Sequence, residues 1–196
     1  MLDPANISIR ESALLVIDAQ DSFKARPSWE RRNNLQFEQN VGALIDAYRA
    51  AKLPVIYFLH TDPDPYFEPD SPYLKLMDFI ERRPEEPLIV KNTRNCFTST
   101  GLGAMLLDRG VRRIAVTGIQ TEQCCETTTR VAADLGYAVD FVSEGTMTFP
   151  IANLDRPGEE LGTDAIVERT EYALRRRFAR ISTVAGLVEE LANTAA

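Results

Sequence analysis

The chain has 196 residues, of which 44% are apolar and 26% charged, and its formal net charge is −7. This length predicts a single domain over residues 1–196, large enough to bury about 70% of the surface of the unfolded chain. The acidic balance argues against a nucleic-acid partner, and His60, the only histidine, cannot build a multi-histidine zinc site. The cysteines at 96, 124 and 125 fit neither a disulfide framework nor CxxC metal spacing.

The N-terminal segment, MLDPANISIR, lacks the basic and then apolar pattern of a secretory signal. The longest apolar stretches of the sequence are strand-sized and far shorter than the ~20 residues that span a bilayer. Since free thiols persist in reducing compartments, we expect a cytoplasmic protein that does not contact membranes.

Short apolar runs alternate with helical patterns along the chain. The runs are rich in β-branched residues, which is typical of parallel strands covered by helices on both faces. These predicted strands are residues 13–17, 54–59, 87–90, 114–117, 138–142 and 179–183. Apolar residues at helical spacing predict helices at residues 37–48, 102–109, 122–135, 164–177 and 184–192. The alternation indicates an α/β fold, a three-layer α/β/α sandwich with right-handed crossovers.

Two long connections, residues 23–34 and 61–86, interrupt this alternation. Long loops in a compact domain are usually functional or disordered, and these contain many aromatic residues, among them Phe23, Trp29 and Phe67. We therefore expect the two connections to wall a pocket or a subunit interface.

Reactive side chains follow three of the predicted strands. Asp18 ends the first strand, Lys91 ends the third, and Cys124 comes shortly after the fourth. Ligands of open parallel sheets bind beyond the carboxyl ends of the strands, which is where these three residues are expected to lie. Each residue alone is compatible with a structural role, but a base, a cation and a thiol at one sheet edge suit nucleophilic catalysis.

Cys124 is the candidate nucleophile. We expect Thr121 to cap a helix, so that Cys124 lies in the first turn, where unpaired N–H groups and the helix dipole favour a thiolate. A nearby Lys91 ammonium would favour it further. The alternative is that Cys124 is a small buried core residue, as we expect Cys96 and Cys125 to be.

His60 ends the second strand, and the following Asp62 and Asp64 raise the question of a metal site. A lone imidazole beside carboxylates is more typical of a hydrogen-bonded structural or pocket group. A Ser-His-Asp triad is not favoured, because no serine lies on a GxSxG elbow. Asp21 is a rival to Asp18 as the base, but it lies further into the loop.

Three stretches resemble the isochorismatase-like cysteine hydrolases, a family that includes nicotinamidases and N-carbamoylsarcosine amidohydrolases. They are LLVIDAQDSF with Asp18, LIVKNTRNCFTSTGL with Lys91, and VTGIQTEQCCETTTRVAADLGY with Cys124. The resemblance implies a parallel six-stranded sheet of order 3-2-1-4-5-6 and a catalytic triad of these three residues. It also implies a cis peptide bond between Ile119 and Gln120 and a homodimer or homotetramer.

The sequence departs from the nicotinamidases of this family at their metal site. Those enzymes bind a divalent metal through an aspartate and two histidines, beginning with an Asp-x-His segment after the second strand. The corresponding segment here is HTDPDPYF, and the chain has no second histidine. We therefore expect no metal, no cofactor and no nicotinamidase activity.

The predicted function is metal-independent hydrolysis of a small amide-like C–N substrate through a thioester on Cys124. The predicted pocket residues, chosen by loop position, are Phe23, Trp29, His60 and Phe97. One alternative is an isochorismatase-type vinyl-ether hydrolase in which Asp18 is the acid. The other is a non-catalytic redox or ligand-binding module that uses the thiol.

Overall fold

The structure is a computed structural model that describes residues 6–194. The predicted domain of residues 1–196 extends beyond these at both ends, and residues 1–5 of the predicted signal-free N-terminus lie outside the described residues. No helix within residues 6–194 is both long enough and apolar enough to cross a membrane.

The main sheet within the described residues has six strands, all parallel, in the order β3-β2-β1-β4-β5-β8. Its strands are β1 Ser12–Ile17, β2 Val55–His60, β3 Leu88–Lys91, β4 Arg113–Ile119, β5 Ala138–Met147 and β8 Arg180–Ser182. Because β8 is the sixth strand of this sheet along the chain, the predicted order 3-2-1-4-5-6 is confirmed. A separate antiparallel hairpin, β6 Ile151–Ala152 and β7 Glu160–Leu161, was not predicted, since strands of two residues carry no periodicity.

Helices connect the strands and cover both faces of the sheet. They are α1 Asp21–Lys24, α2 Phe37–Ala50, α3 Leu102–Asp108, α4 Glu126–Asp134, α5 Thr163–Leu174 and α6 Val184–Thr194. A π-helical turn, Thr121–Cys125, precedes α4, and 3₁₀ turns lie at Ile9–Glu11 and Pro27–Arg31. The predicted helix at 122–135 is therefore a π turn followed by an α-helix.

Two apolar clusters, one on each face of the sheet, form the core. Alternate residues of β1 point to opposite faces, so Leu14 and Val16 pack with α2 and α6, while Ala13 and Leu15 pack with α3 and α4. Every residue of β1 is buried, which explains why its sequence is a continuous apolar run. The predicted three-layer α/β/α sandwich is confirmed.

The chain leaves β1 towards β2 on one side of the sheet, while β4 lies on the other side. This change of direction opens a crevice at the carboxyl ends of β1 and β4. At this point the backbones approach very closely: Gly118 pairs with Ile17, and a Cβ built on Gly118 would lie 1.9 Å from the Ile17 carbonyl oxygen. Gly118 also has a φ of 129°, so that glycine is required here for two independent reasons.

Candidate active site

Asp18, Lys91 and Cys124 converge at the carboxyl end of the sheet. Lys91 Nζ lies 2.8 Å from Asp18 Oδ2 and 3.5 Å from Cys124 Sγ. The side chains of Asp18 and Lys91 are fully buried, and Cys124 is 5% exposed. The structure thus brings together three residues that are separated by 73 and 33 positions in the sequence.

Asp18 has one bound and one open carboxylate oxygen. Oδ2 accepts from Lys91, whereas Oδ1 is buried and has no hydrogen-bond partner among the described residues. Asp18 adopts a left-handed conformation with φ 53°, which turns the chain away from β1 directly after the strand. An unpaired buried carboxylate oxygen beside a thiol is well suited to accept a proton.

The rival carboxylate, Asp21, belongs to the neighbouring helix α1. It forms ion pairs with Lys24 and Lys75, at 3.7 Å and 3.1 Å. Asp18, and not Asp21, lines the pocket that contains Cys124.

Cys124 is positioned by the π turn that follows β4. The peptide bond between Ile119 and Gln120 is cis, as the sequence resemblance implies. The predicted cap at Thr121 is wrong: Gln120 precedes the turn, and the Thr121 hydroxyl donates instead to Thr146 Oγ1 on β5, at 2.9 Å. Thr121 is thus tied to the sheet, and Cys124 lies at the end of the π turn rather than in the first turn of an α-helix.

The ionisation of Cys124 also differs from the sequence-based expectation. Burial raises the pKa of the Cys124 thiol, and the charge of Asp18 raises it further, so that the opposing effect of Lys91 is outweighed. Burial alone would lower the pKa of Lys91, but Asp18 and the neighbouring thiols hold it above its ordinary value. The site therefore contains a neutral thiol beside an ammonium–carboxylate pair.

The other two cysteines lie in the core. Burial raises the pKa of Cys96 to about 12 and also raises that of Cys125 well above the ordinary value. Cys96 and Cys125 are fully buried within the apolar cluster under α3 and α4. Their predicted placement in the core is confirmed by these positions.

His60 lies next to the ion pair. It is the register partner of Lys91 in the sheet, and its Nδ1 lies 3.4 Å from Lys91 Nζ. Gln20 clamps the backbone of His60, accepting from its N–H at 2.7 Å and donating to its carbonyl at 3.1 Å. Burial and then the charge of Lys91 lower the pKa of His60, which keeps the imidazole neutral.

The residues after β2 do not fit a divalent metal of the nicotinamidase type. Arg94 lies against His60 Nε2, and its Nη2 donates to Asp62 Oδ2 at 3.0 Å. The Arg94 guanidinium therefore already contacts the two atoms that would bind a metal. Asp64 is likewise paired with Arg26. A metal ion would have to displace a cation at each position.

A second set of ligand atoms, on Asp18, His60 and Cys124, lies within 4.8 Å of one another. Lys91 Nζ is 2.8 Å, 3.4 Å and 3.5 Å from these three side chains respectively. The Lys91 ammonium thus places a positive charge next to all three of these side chains.

These residues open into a cavity of about 100 Å³. Its floor contains Asp18, Gln120 and Cys124. Phe23, His60 and Phe67, all buried, form the inner wall together with the half-buried Gln123. A more exposed rim is formed by two arginines and two aspartates, which we call the rim cluster: Arg26, Asp62, Asp64 and Arg94.

Two of the predicted pocket residues lie elsewhere. Phe23 and His60 line the cavity, but Trp29 packs near Phe149, with ring centroids 6.5 Å apart, and stacks under Arg32. Phe97 lies 5.8 Å from Tyr137, on the face covered by α3 and α4. Loop position predicted which segments wall the cavity but not which side chains turn inward, because that depends on local turns within each loop.

Phe67 was not predicted as a specific wall residue, and neither of the two rim arginines was predicted. Phe67 and Arg26 lie in the two long connections, where no periodicity assigns a direction to a side chain. Arg94 could have been found, since it lies only three residues beyond Lys91 at a strand end. The expectation that both connections wall a pocket agrees with their contributions to this cavity.

Comparison with known proteins identifies the class. The isochorismatase domain model matches residues 12–186. The isochorismatase family protein YrdC of Bacillus subtilis is 27% identical over 186 residues, which are 94% of this chain and 98% of that protein. Nicotinamidase 3 of Arabidopsis thaliana is 31% identical over 156 residues, covering 70% of this chain and 74% of its own.

A crystal structure from Chromobacterium violaceum, described as a hydrolase of the isochorismatase family, matches with a TM-score of 0.88. It is 32% identical and covers 98% of this chain and 100% of its own. The fold and these similarities define a hydrolase. The chain belongs to the isochorismatase family.

Proposed function

We propose that this hydrolase cleaves a small amide-like C–N bond through a thioester on Cys124, with Asp18 and Lys91 completing the catalytic triad and without a metal or cofactor. The observation that carries the proposal is the contact of Lys91 Nζ with both Asp18 and Cys124, together with the open Oδ1 of Asp18. Relatives named as a nicotinamidase and a ureidoacrylate amidohydrolase support amide chemistry.

In the first half of the reaction, Asp18 accepts the thiol proton and Cys124 Sγ attacks the carbonyl carbon. The backbone N–H groups of Gln120 and Cys124 stabilise the oxyanion, which such donors can do by ~3–4 kcal/mol each. The C–N bond then breaks, and Asp18 returns its proton to the departing amine.

In the second half, water attacks the thioester and gives a proton to Asp18. Collapse of the tetrahedral intermediate releases the carboxylic acid, and the proton returns to the Cys124 sulfur. Lys91 stays protonated throughout. Its charge stabilises both the Asp18 carboxylate and the transient thiolate.

The neutral thiol of the resting site agrees with this scheme. A base is needed only if the nucleophile begins protonated, and burial together with Asp18 keeps the pKa of Cys124 raised. A small-molecule substrate suits a cavity of about 100 Å³. We further propose a cytoplasmic location. We also propose that the protein is a homodimer or homotetramer, and sedimentation velocity tests this oligomeric state.

The test is a screen of small primary amides with intact-mass detection of the acyl-enzyme. We expect wild-type protein to gain the acyl mass, and Cys124→Ala to lose turnover by about 10³-fold or more without unfolding. Cys96→Ala, which removes a buried thiol outside the cavity, serves as the matched control and should retain activity.

Two outcomes would contradict the proposal. Undiminished amide turnover in Cys124→Ala would exclude the thioester, and hydrolysis of a vinyl ether by that variant would favour the alternative with Asp18 as the acid. Complete alkylation of Cys124 without loss of any amidase activity would favour a non-catalytic role for the thiol.

A further inference from the structure

The rim cluster has no net charge, since Arg26 and Arg94 are balanced by Asp62 and Asp64. Its hydrogen-bonding capacity, however, is unbalanced. A guanidinium has five N–H donors, whereas each aspartate offers two acceptor oxygens. The balance of unused donors and acceptors therefore decides which kind of ligand group the rim can bind.

Arg94 uses only part of its donor set. Among the described residues it donates to Asp62 Oδ2, at 3.0 Å, and contacts His60 Nε2. Its side chain is 48% exposed, so the remaining N–H groups are open to solvent and ligand.

Arg26 is held in place but also keeps free donors. Its guanidinium carbon lies over the Phe67 ring, 4.5 Å from the centroid, and Nη2 donates to Asp64 Oδ2. The other oxygen of Asp64 accepts from the backbone N–H of Tyr66 at 3.0 Å. Both oxygens of Asp64 are thus engaged, whereas most N–H groups of Arg26 are not.

The charged side chains deep in the cavity already form an ion pair with each other. Asp18 and Lys91 form a fully buried pair, and His60 between this pair and Arg94 is neutral. Among the described residues, Oδ1 of Asp62 is the one rim carboxylate oxygen without a hydrogen-bond partner, whereas several N–H groups of Arg26 and Arg94 have none. A ligand therefore meets more free N–H donors than free acceptors at the rim. Planar guanidinium groups bind carboxylates in two-point fashion, which makes this the favoured ligand group.

The distance between the rim and the nucleophile is short. His60 has a ring nitrogen within 4.8 Å of the Cys124 sulfur, and Arg94 lies against the Nε2 of the same ring. A molecule that reaches from Cys124 to Arg94 therefore spans one imidazole ring and the contact on each side of it. Its carboxylate must be only a few bonds from the scissile carbonyl.

We propose that Arg94 and Arg26 form a carboxylate-binding subsite, and that the substrate is a short amide carrying a carboxylate a few bonds from the scissile C–N bond. This inference rests on the proposed amide hydrolysis, which it deepens by naming the substrate class. Simple compounds of this class are the monoamides malonamate, succinamate and glutaramate. Their neutral diamides, such as succinamide, have nearly the same shape without the charge.

The subsite can be tested without turnover, by calorimetric titration of Cys124→Ala protein with the three monoamides and the three diamides. We expect at least one monoamide to bind about tenfold or more tightly than its diamide, as charge-assisted hydrogen bonds imply. In the same background, Arg94→Met and Arg26→Met should each reduce monoamide binding about tenfold while changing diamide binding less than about twofold.

Arg112→Met is the matched control, because Arg112 pairs with the exposed Glu11 outside the cavity and its replacement removes the same charge. It should leave all affinities unchanged. The inference is overturned if no monoamide is preferred at any of the three lengths, or if the preference survives both rim substitutions. A preference for monoamides without any acyl-enzyme on wild-type protein would support the subsite and contradict the amide chemistry.

Discussion

Asp18 shifts the pKa of the Cys124 thiol in a direction that can be measured. Its negative charge raises the pKa of the thiol, while Lys91 lowers it. Removal of the Asp18 charge leaves Lys91 unopposed, so the thiolate should become easier to form even though the proposed base is lost.

We therefore expect Asp18→Asn to speed iodoacetamide alkylation of Cys124 at pH 8 by about tenfold, because a lower thiol pKa gives more of the reactive thiolate, while amide turnover falls. Intact-mass kinetics measure the alkylation, with Cys124→Ala identifying the labelled residue. Asp21→Asn removes a carboxylate from the neighbouring helix and should leave the alkylation rate unchanged. Slower alkylation in Asp18→Asn than in wild type would show that Asp18 does not hold the thiol protonated.

The pKa of His60 can be measured directly by NMR, since it is the only histidine and its ring resonances cannot be confused with those of another histidine. Burial, and then the charge of Lys91, lower its pKa below the ordinary value of about 6.5. We expect the ring to titrate below this value, and Arg94→Met to move the pKa upwards, because Arg94 also lowers it.

The same shift affects stability. Because the unfolded chain binds this proton at a higher pH than the folded protein does, the contribution of His60 to stability falls as the pH decreases below about 6.5. A ring that titrates at or above that value would contradict the buried position of His60.

Sequence reasoning could identify Asp18, Lys91 and Cys124, because residues that end parallel strands must meet at one edge. It could not predict the ionisation of Cys124. Helix-dipole arguments favoured a thiolate, whereas burial and the Asp18 charge, which depend on the folded environment, favour the thiol. The rim arginines were missed for a related reason, since the direction of a loop side chain is set by contacts such as the one between Arg26 and Phe67.

The end of β4 carries the most demanding backbone geometry near the site. Between Val116 and Gly118 the register with β5 shifts, and Gly118 touches the Ile17 carbonyl directly before Asp18. The position of Cys124 relative to Asp18 thus depends on a strand end that accepts no side chain.

We expect Gly118→Ala to lower the free energy of unfolding by at least about 3 kcal/mol, because the new Cβ meets backbone and the φ of 129° is unfavourable for alanine. Urea unfolding measures this change. Gly42→Ala in the interior of α2 is the matched control: a Cβ there meets nothing within 4 Å, and the substitution should stabilise the helix by roughly 0.5–1 kcal/mol. Equal effects at the two positions would exclude the close approach at Gly118.

Periodicity predicted each strand of the main sheet and the helices α2 to α6, but it was less reliable at their ends. It did not predict α1, because four residues are too few to show a helical period. The residues of β5 beyond 142 were not predicted because Ser143, Glu144 and Gly145 interrupt the apolar run, although pairing with β4 continues to Met147. The π turn before α4 was predicted as α-helix, because one turn of five residues is too short for its different spacing to appear in the sequence.

At the level of the complete chain, a buried charge network joins the strands to the last helix. Asp140 on β5 accepts from Arg113 at 2.6 Å and from Arg180 at 2.7 Å, and both arginines also donate to Glu190 of α6. Arg113 and Asp140 are almost fully buried, so removing either partner leaves an uncompensated charge.

We expect Asp140→Ala to destabilise the protein by about 3–5 kcal/mol in urea unfolding. Catalysis by the folded fraction should be retained, because Asp140 lies in the first part of β5, opposite Ala115 of β4, whereas Cys124 follows the carboxyl end of β4. Glu11→Ala, which removes an exposed ion pair with Arg112, should change stability by less than about 1 kcal/mol. A loss of turnover in folded Asp140→Ala protein would contradict this separation of stability from function.

Local sequence was sufficient for the α/β class, the parallel sheet and the three candidate catalytic residues, because apolar periodicity and strand ends are properties of short segments. The state of those residues and the shape of the cavity arise from contacts between distant segments. The partners of Asp140 lie 27 and 40 residues away, and Asp18 meets Lys91 across 73 residues. Burial, charge pairing and the direction of loop side chains come into being only when these segments pack, and these properties determine which proton moves and which substrate the site can hold.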